Sequence, residues 1–383
     1  MTCDYVHNCR ICGSKEIGLK SVLDLGDQPL ANNFASNEVY PLVLMFCDKC
    51  QHGQLSRKVD RNILFAGSYP FLAGQSQSWV EHCKYLVERF VRPGGIIDIG
   101  ANDGTLLGEF RKRGMVGVGI EPSDVSGDYV KYRRFWDQAT AEDVVKIHWP
   151  ADIITATNVF AHVDNFVTFL DAVSIALAPN GLFIFEVPDL AELLRQCEYD
   201  TIYHEHLNYF SFQSIYTLIA GRKDLFLNSV EKVDIHGGSL LVTVFKKDNQ
   251  MPLPIMEKDF WYVDSRIHNF AEVVRQKSQE LYQLVLSKKG CVYGYGASAK
   301  ACVRLNYDKA LADCIIGVFD DAPSKVGKCI PGTGIPILSP DRLREVAPND
   351  IRPEYILILS RNVSNDLKKK AREHGFKGQF LEI

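Results

Sequence analysis

Four consecutive residues, Tyr203-His204-Glu205-His206, place a phenol, a carboxylate and two imidazoles within the stretch TIYHEHLNYFS. Imidazole changes charge near neutral pH, so this group can move protons, and it can also hold a metal. Its His-Glu-His order lacks the one-turn spacing by which two helical histidines meet zinc, although alternate residues of an extended loop could still face one ion. A third reading is a buried polar cluster whose members satisfy one another. A second constellation comes earlier: Cys9-Arg-Ile-Cys12 and Cys47-Asp-Lys-Cys50. Each Cys-x-x-Cys resembles a knuckle that aims two thiolates at one point, and two knuckles supply the four soft ligands of tetrahedral zinc. A redox pair opens a helix after a strand, and two copies in one short segment speak against that. Four cysteines leave no open position, so the expected zinc is structural. Cys3 and His7 lie near enough to substitute, but the spacing favours Cys9, Cys12, Cys47 and Cys50.

The elements that would position these groups divide into a zinc-binding module (1–68), a core (69–248), a helical linker (249–288) and a last domain (289–383). In the module, LDLGDQPLANNF (23–34) is rich in turn residues and reads as a loop crossing a neighbouring domain. In the core, the apolar run IIDIG leads into Gly100-Ala-Asn102-Asp103-Gly104 and a helical pattern, TLLGEFRKRG. Glycines at a strand-to-helix turn let backbone amides approach a ligand. The spacing here is Asp98-x-Gly100-x-x-x-Gly104, not the Gly-x-Gly-x-x-Gly of dinucleotide binders. The next strand, MVGVGIEPS, ends in Glu121, where an acid can bind both hydroxyls of a ribose. A glycine turn followed by a ribose acid resembles the S-adenosylmethionine site of class I methyltransferases. The alternative is a parallel α/β domain whose glycines serve only its turns.

Further strands, ADIITATN and GLFIFEVPD, continue the alternation of a doubly wound sheet. Ligands in such sheets collect beyond the carboxyl ends of the strands. Asn158, His162, Glu186 and the Tyr203–His206 loop all follow strand ends, so they are expected to converge there. A helical pattern then runs from about Ile255 to Lys288, with Phe260, Val263, Ile267, Phe270, Val274, Leu281 and Val285 on one face. In the last domain, Gly294-Tyr-Gly296-Ala-Ser-Ala299 repeats the strand, glycine turn and helix, with Asp320 ending the following strand. Alone it would suit NAD and an oxidoreductase. Lys300, at the helix start, argues for a phosphate group, which a nucleoside diphosphate supplies as well as NAD does. Asn362, after the strand YILIL, is a further candidate for the same cleft.

Composition sets outer bounds. The 383 residues are 46% hydrophobic, and 43 basic against 47 acidic residues leave a net charge of −4 without like-charge blocks. Neither nucleic acid nor an anionic membrane is indicated. The start lacks an apolar signal region, and no run approaches the roughly eighteen apolar residues of a membrane span. Eleven cysteines without such a signal fit a reducing, cytoplasmic setting. No heptad seam sets an oligomeric state.

CRICG, LDLGDQPLANNF, CDKC, IIDIGANDG, NVFAH, TIYHEHLNYFS, HGGSL, GYGASAK and PSKVGKCIPGTGIP follow one another in order. Together they resemble the nucleotide-sugar C-methyltransferases, over nearly the whole chain. The resemblance implies a zinc module, a class I methyltransferase core, a C-terminal Rossmann-like domain holding the nucleotide half of the substrate, and methyl transfer to C3 of a nucleotide-linked 4-keto-sugar. Carbon beside a ketone becomes nucleophilic only after losing a proton, so a base and a donor to the ketone oxygen are required. His206 is expected as the base, Tyr203 as a donor, and Glu205 either to orient an imidazole or to bind a sugar hydroxyl. By resemblance Asn158, at the cofactor's rim, and His162 also face the sugar, with His162 a candidate partner of the ketone oxygen. His204 stands where some relatives carry an acid, and it is taken as substrate-binding. His236, in IHGGSL, is either a packed strand-end histidine or part of the substrate site, as are Gly296, Lys300, Asp320 and Asn362 in the last domain. O- or N-methylation of a similar sugar, and NAD-linked oxidoreduction, are the competing activities.

Overall fold

Apolar residues alternate in the knuckle-bearing segment more regularly than its turn residues suggest. In the computed structural model, which describes residues 3–15, 18–36, 38–65, 72–246, 263, 265–288, 291–343 and 353–382, this segment forms β1 (Cys3–Tyr5), β2 (Leu19–Pro29), β3 (Val39–Cys47), β4 (His52–Leu55) and β5 (Arg57–Val59). β2, β3 and β4 pair antiparallel in order, and β1 pairs with β5. The loop expected over 23–34 is a strand as far as Pro29. Two register shifts, the second spanning Gly26 at φ 72°, absorb its turn residues while Leu23 and Leu25 stay buried.

The core supplies β6 (Gly95–Ile99), β7 (Val116–Ile120), β8 (Val130–Tyr132), β9 (Ala151–Thr157), β10 (Leu177–Pro188), β11 (Asn208–Tyr209), β12 (Leu225–Val233) and β13 (Ser239–Lys246). Seven of these form one sheet in the order β12-β13-β10-β9-β6-β7-β8. β8, β7, β6, β9 and β10 are parallel, while β13 runs against both β10 and β12. Both faces are covered, as a continuous apolar run such as IIDI requires. Ile96, Ile153 and Ile184 pack with the helices Gln77–Phe90 and Thr105–Lys112. Ile97, Ile154 and Phe183 pack with Gln138–Ile147, Phe166–Ala176 and Phe212–Ala220 on the other side. β11 leaves this sheet and extends the N-terminal one, pairing antiparallel with β4.

The last domain holds β14 (Val292–Tyr295), β15 (Ile315–Phe319), β16 (Ile337–Leu338), β17 (Tyr355–Ile358) and β18 (Gln379–Leu381). They form a parallel sheet in the order β16-β15-β14-β17-β18. Of the expected linker helix, Phe270–Leu286 is helical, preceded by a 3-10 turn over Ser265–Asn269. Phe260 lies outside the described residues. Val274 packs against the N-terminal sheet, and Leu281 and Val285 against the last one, so this helix joins the two. Among the described residues no helix is long and apolar enough to cross a membrane.

Candidate active site

The turn after β6 is built for close approach. Gly100 has φ 72°, and a Cβ there would lie 2.2 Å from Val159 Cγ2. Asp98 sits within β6 with its carboxylate buried, accepting from Thr155 Oγ1 at 2.6 Å. Burial raises its pKa to about 7, against the lowering effect of the Thr155 bond. Glu121 follows β7 and accepts from the Asn102 amide with one oxygen and the Ser123 amide with the other, each at 2.9 Å. Asp98, Gly100, Asn102, Glu121 and Asn158 line one end of a cavity of ≈ 1240 Å³. Asp103 and Gly104, expected at the cofactor, serve the turn instead. Asp103 accepts from the Gly74 amide (2.7 Å) and from Thr105 Oγ1 (2.6 Å). Gly104 caps the helix at φ 82°, where a Cβ would lie 2.5 Å from the Tyr129 ring.

The same cavity passes His162, Tyr203, His206 and His236, and ends at Gly296, Lys300, Asp320 and Asn362. His206 Nδ1 donates to the Thr201 carbonyl at 3.1 Å, so Nε2 carries the lone pair and accepts from Tyr203 Oη at 2.7 Å. Burial, then the neighbouring His162, hold the His206 pKa well below its usual value. His162 Nδ1 donates to the Glu205 carbonyl at 2.6 Å, and burial lowers its pKa also. A neutral His162 therefore has no N–H left for a ketone oxygen, contrary to its expected role. Glu205 lies behind the cavity wall. Its Oε1 accepts from Asn32 Nδ2 at 3.0 Å, and burial raises its pKa. Asn32 itself lines the cavity.

His204 points away. Its Nε2 donates to the Tyr40 carbonyl at 3.2 Å in the N-terminal module, and it is absent from the cavity wall. The expected substrate contact is corrected accordingly: the turn closed by the His206 amide on the Tyr203 carbonyl (2.9 Å) brings Tyr203 and His206 to one side and leaves His204 on the other. His236 is packed and also reaches the cavity. It stacks on Trp79 at 5.4 Å between ring centres, and it lines the cavity. Glu186 does not reach the cavity but pairs with His82 at 2.6 Å. In the last domain Lys300 lines the cavity while paired with Glu198 at 2.9 Å. Asp320 reproduces the Glu121 arrangement, accepting from the glycine-turn amide of Ala297 at 2.7 Å and from the Ala322 amide at 2.9 Å. Asn32, Trp79 and Lys325 also line the cavity and were not singled out. Asn32 had a signal as a polar residue in LANNF, and Lys325 lies in PSKVGKCIPGTGIP, one of the motifs that carry the resemblance.

The four knuckle sulfurs lie within 4.8 Å of one another, with Cys9–Cys50 at 3.5 Å and Cys12–Cys47 at 3.6 Å. Zinc–sulfur bonds of about 2.3 Å put tetrahedral sulfurs about 3.8 Å apart, so the donor set fits zinc.

Sheet order, glycine turn and strand-end acid define a class I methyltransferase using S-adenosylmethionine. Family profiles match a putative zinc binding domain over residues 9–65, a methyltransferase domain over 72–222 and a C-methyltransferase C-terminal domain over 234–381. The C-methyltransferase NovU of Streptomyces niveus is 30% identical across 98% of this chain and 95% of its own length. The chain belongs to this C-methyltransferase family. Similar solved structures include the 1,6-didemethyltoxoflavin-N1-methyltransferase of Burkholderia thailandensis, covering 46% of this chain and 81% of its own at 13% identity, with a TM-score of 0.35. PH0226 protein of Pyrococcus horikoshii covers 46% and 95% at 15% identity, with a TM-score of 0.35.

Proposed function

We propose that this enzyme methylates C3 of a nucleotide-linked 4-keto-sugar with His206 as the base. The observation that carries the reading is the continuity of one cavity from Asp98 and Glu121, past His206, to Lys300 and Asn362 in the second glycine-turn sheet. S-adenosylmethionine supplies an electrophilic methyl group when bound. Asp98 would meet its ammonium group, Glu121 its ribose, and the Gly100 turn would let the backbone close on it. The nucleotide half of the substrate would lie along Gly296, Lys300 and Asp320, with His236 and Asn362 at its border.

Between them, the C3 proton passes to His206 Nε2, which is neutral and therefore ready to accept it. Tyr203 Oη must leave that nitrogen to make room, which frees its O–H for the ketone oxygen where enolate charge develops. C3 then takes the methyl as its bond to the sulfonium breaks and leaves the electron pair on sulfur, and the imidazolium returns its proton to solvent. The lowered His206 pKa favours that last step.

Incubation of the enzyme with S-adenosylmethionine and a panel of 4-keto nucleotide sugars, read by mass and NMR, tests the reading. A new carbon-bound methyl at C3 is expected. An O- or N-methyl product, or nicotinamide-dependent turnover, would replace the proposal. His206→Ala should still bind S-adenosylmethionine yet neither methylate nor exchange the C3 hydrogen with deuterated solvent.

A further inference from the structure

The segment carrying Tyr203–His206 is sewn into the zinc module. It runs directly into β11, where Asn208 lies opposite Gln54 and Tyr209 opposite Gly53 of β4. The Leu55 amide donates to the Leu207 carbonyl at 3.0 Å. Arg10, between the two ligands of the first knuckle, sends Nη1 to the carbonyls of Leu55 (3.1 Å) and Leu207 (3.4 Å). His52 is fully buried and donates from Nε2 to Asn208 Oδ1 at 3.1 Å. Asn208, also fully buried, then donates from Nδ2 to the carbonyls of Ala161 (3.1 Å) and Val163 (2.7 Å), the residues on either side of His162. His162 closes the circuit through its bond to the Glu205 carbonyl.

We propose that His52 and Asn208 are positioning residues of the acid–base site, with Arg10 bracing the same strand. On this view the zinc module fixes how the His162 and His206 rings face one another. Those rings are 5.2 Å apart between centres and tilted by 32°, yet they stand on different segments, His162 after β9 and His206 in the turn before β11. Apolar packing alone tolerates small slides, whereas a buried, fully paired amide admits one geometry. Forking one amide to the two carbonyls that flank His162 ties that turn to the tetrad's own chain. A shift of about 1 Å in a reacting group can cost about a hundredfold in rate.

The inference rests on His206 being the base, and the test separates the two. Full-length, zinc-loaded His52→Leu and His52→Gln are compared with wild type for zinc content, S-adenosylmethionine affinity, kcat, KM and the imidazole NMR resonances of His162 and His206. In His52→Leu, zinc and cofactor affinity should stay within about twofold of wild type, kcat should fall about a hundredfold with little change in KM, and both resonances should shift. His52→Gln, whose amide can still donate to Asn208, should recover most of kcat and the wild-type resonances. Equal losses in both variants, or a His52→Leu enzyme with unchanged kcat and resonances, overturn the proposal. Should His52→Leu lose zinc or fail to fold, Asn208→Asp decides, because it keeps the side-chain volume but removes both donors beside His162. Slower turnover with shifted resonances in that variant supports the proposal, and wild-type behaviour overturns it. A wild-type enzyme that methylates no 4-keto sugar nucleotide sinks the functional reading alone, since the resonances still report whether His52 and Asn208 set the two rings.

Discussion

Tyr203 donates its phenolic proton to Nε2 of His206 across 2.7 Å, while Nδ1 of the same ring donates to the Thr201 carbonyl. The tautomer is thereby fixed, and the basic nitrogen faces the cavity with a removable partner. A direct consequence concerns the phenol. Tyr203→Phe leaves His206 in place but removes the donor proposed for the ketone oxygen. We expect kcat to fall by about a hundredfold or more, with S-adenosylmethionine affinity unchanged, as for loss of an oxyanion donor. Exchange of the C3 hydrogen should slow without vanishing. A variant that exchanges and methylates at the wild-type rate would remove Tyr203 from the mechanism.

If Asp98 meets the cofactor's ammonium group as proposed, cofactor binding depends on pH. Burial has raised its pKa to about 7, so below that value the free enzyme carries a neutral acid where a cation must bind. The S-adenosylmethionine Kd should be level above pH 7 and should weaken by about tenfold for each unit below it. Calorimetry across pH 5 to 8 checks this, and binding near pH 7 should release a proton. Asp98→Asn should bind weakly with a flat profile.

The buried histidines each withdraw stability in acid. Burial lowers the pKa of His204 to about 4, and His162, His206 and His236 move the same way. With folded values depressed, the unfolded chain takes up protons first. Stability is therefore full above the unfolded value near 6.5 and is lost as pH falls from there towards 4. His204 alone accounts for up to about 3 kcal/mol of that loss. Asp98 and Glu205, whose folded pKa values are raised, gain stability as pH falls through the same range and oppose this loss. The histidine share is therefore read by difference: the Tm of His204→Gln, which can still donate to the Tyr40 carbonyl, should respond less adversely to acid than that of the wild type.

Arg304 meets Asp200 at 2.5 Å with both side chains largely covered, joining the helix Ala299–Tyr307 to the chain just before the tetrad. Arg304→Met would strand a buried carboxylate, at a cost of about 3–5 kcal/mol in denaturant unfolding. Adding Asp200→Asn should restore part of it. If the single variant unfolds at the wild-type midpoint, the pair contributes nothing to stability.

Local pattern carried much of this molecule in advance. The knuckles Cys9–Cys12 and Cys47–Cys50 meet at one point because their spacing permits little else. The strand-end acids Glu121 and Asp320 reach their glycine turns because βα units place them there. Alternation was harder to see in β2, where Gly26 and Asp27 masked a strand that bulges accommodate. The direction of His204 followed from which side of the loop meets Tyr40, a contact between residues far apart in sequence. Asn208 is the clearest case. Its neighbours in TIYHEHLNYFS announce chemistry, but its partners lie in the knuckle segment and beside His162, and no spacing within the motif records them.

The pairing of β11 with β4 also bears on how the chain is made. During synthesis the N-terminal sheet emerges with β4 as its open edge, and the strand that covers it is Asn208–Tyr209, which leaves the ribosome only after most of the core. Until then the nascent module presents unpaired backbone of the kind that recruits other chains. Residues 1–68 expressed alone would keep that edge permanently, so the module is a poor candidate for an independent folding unit even with its metal in place.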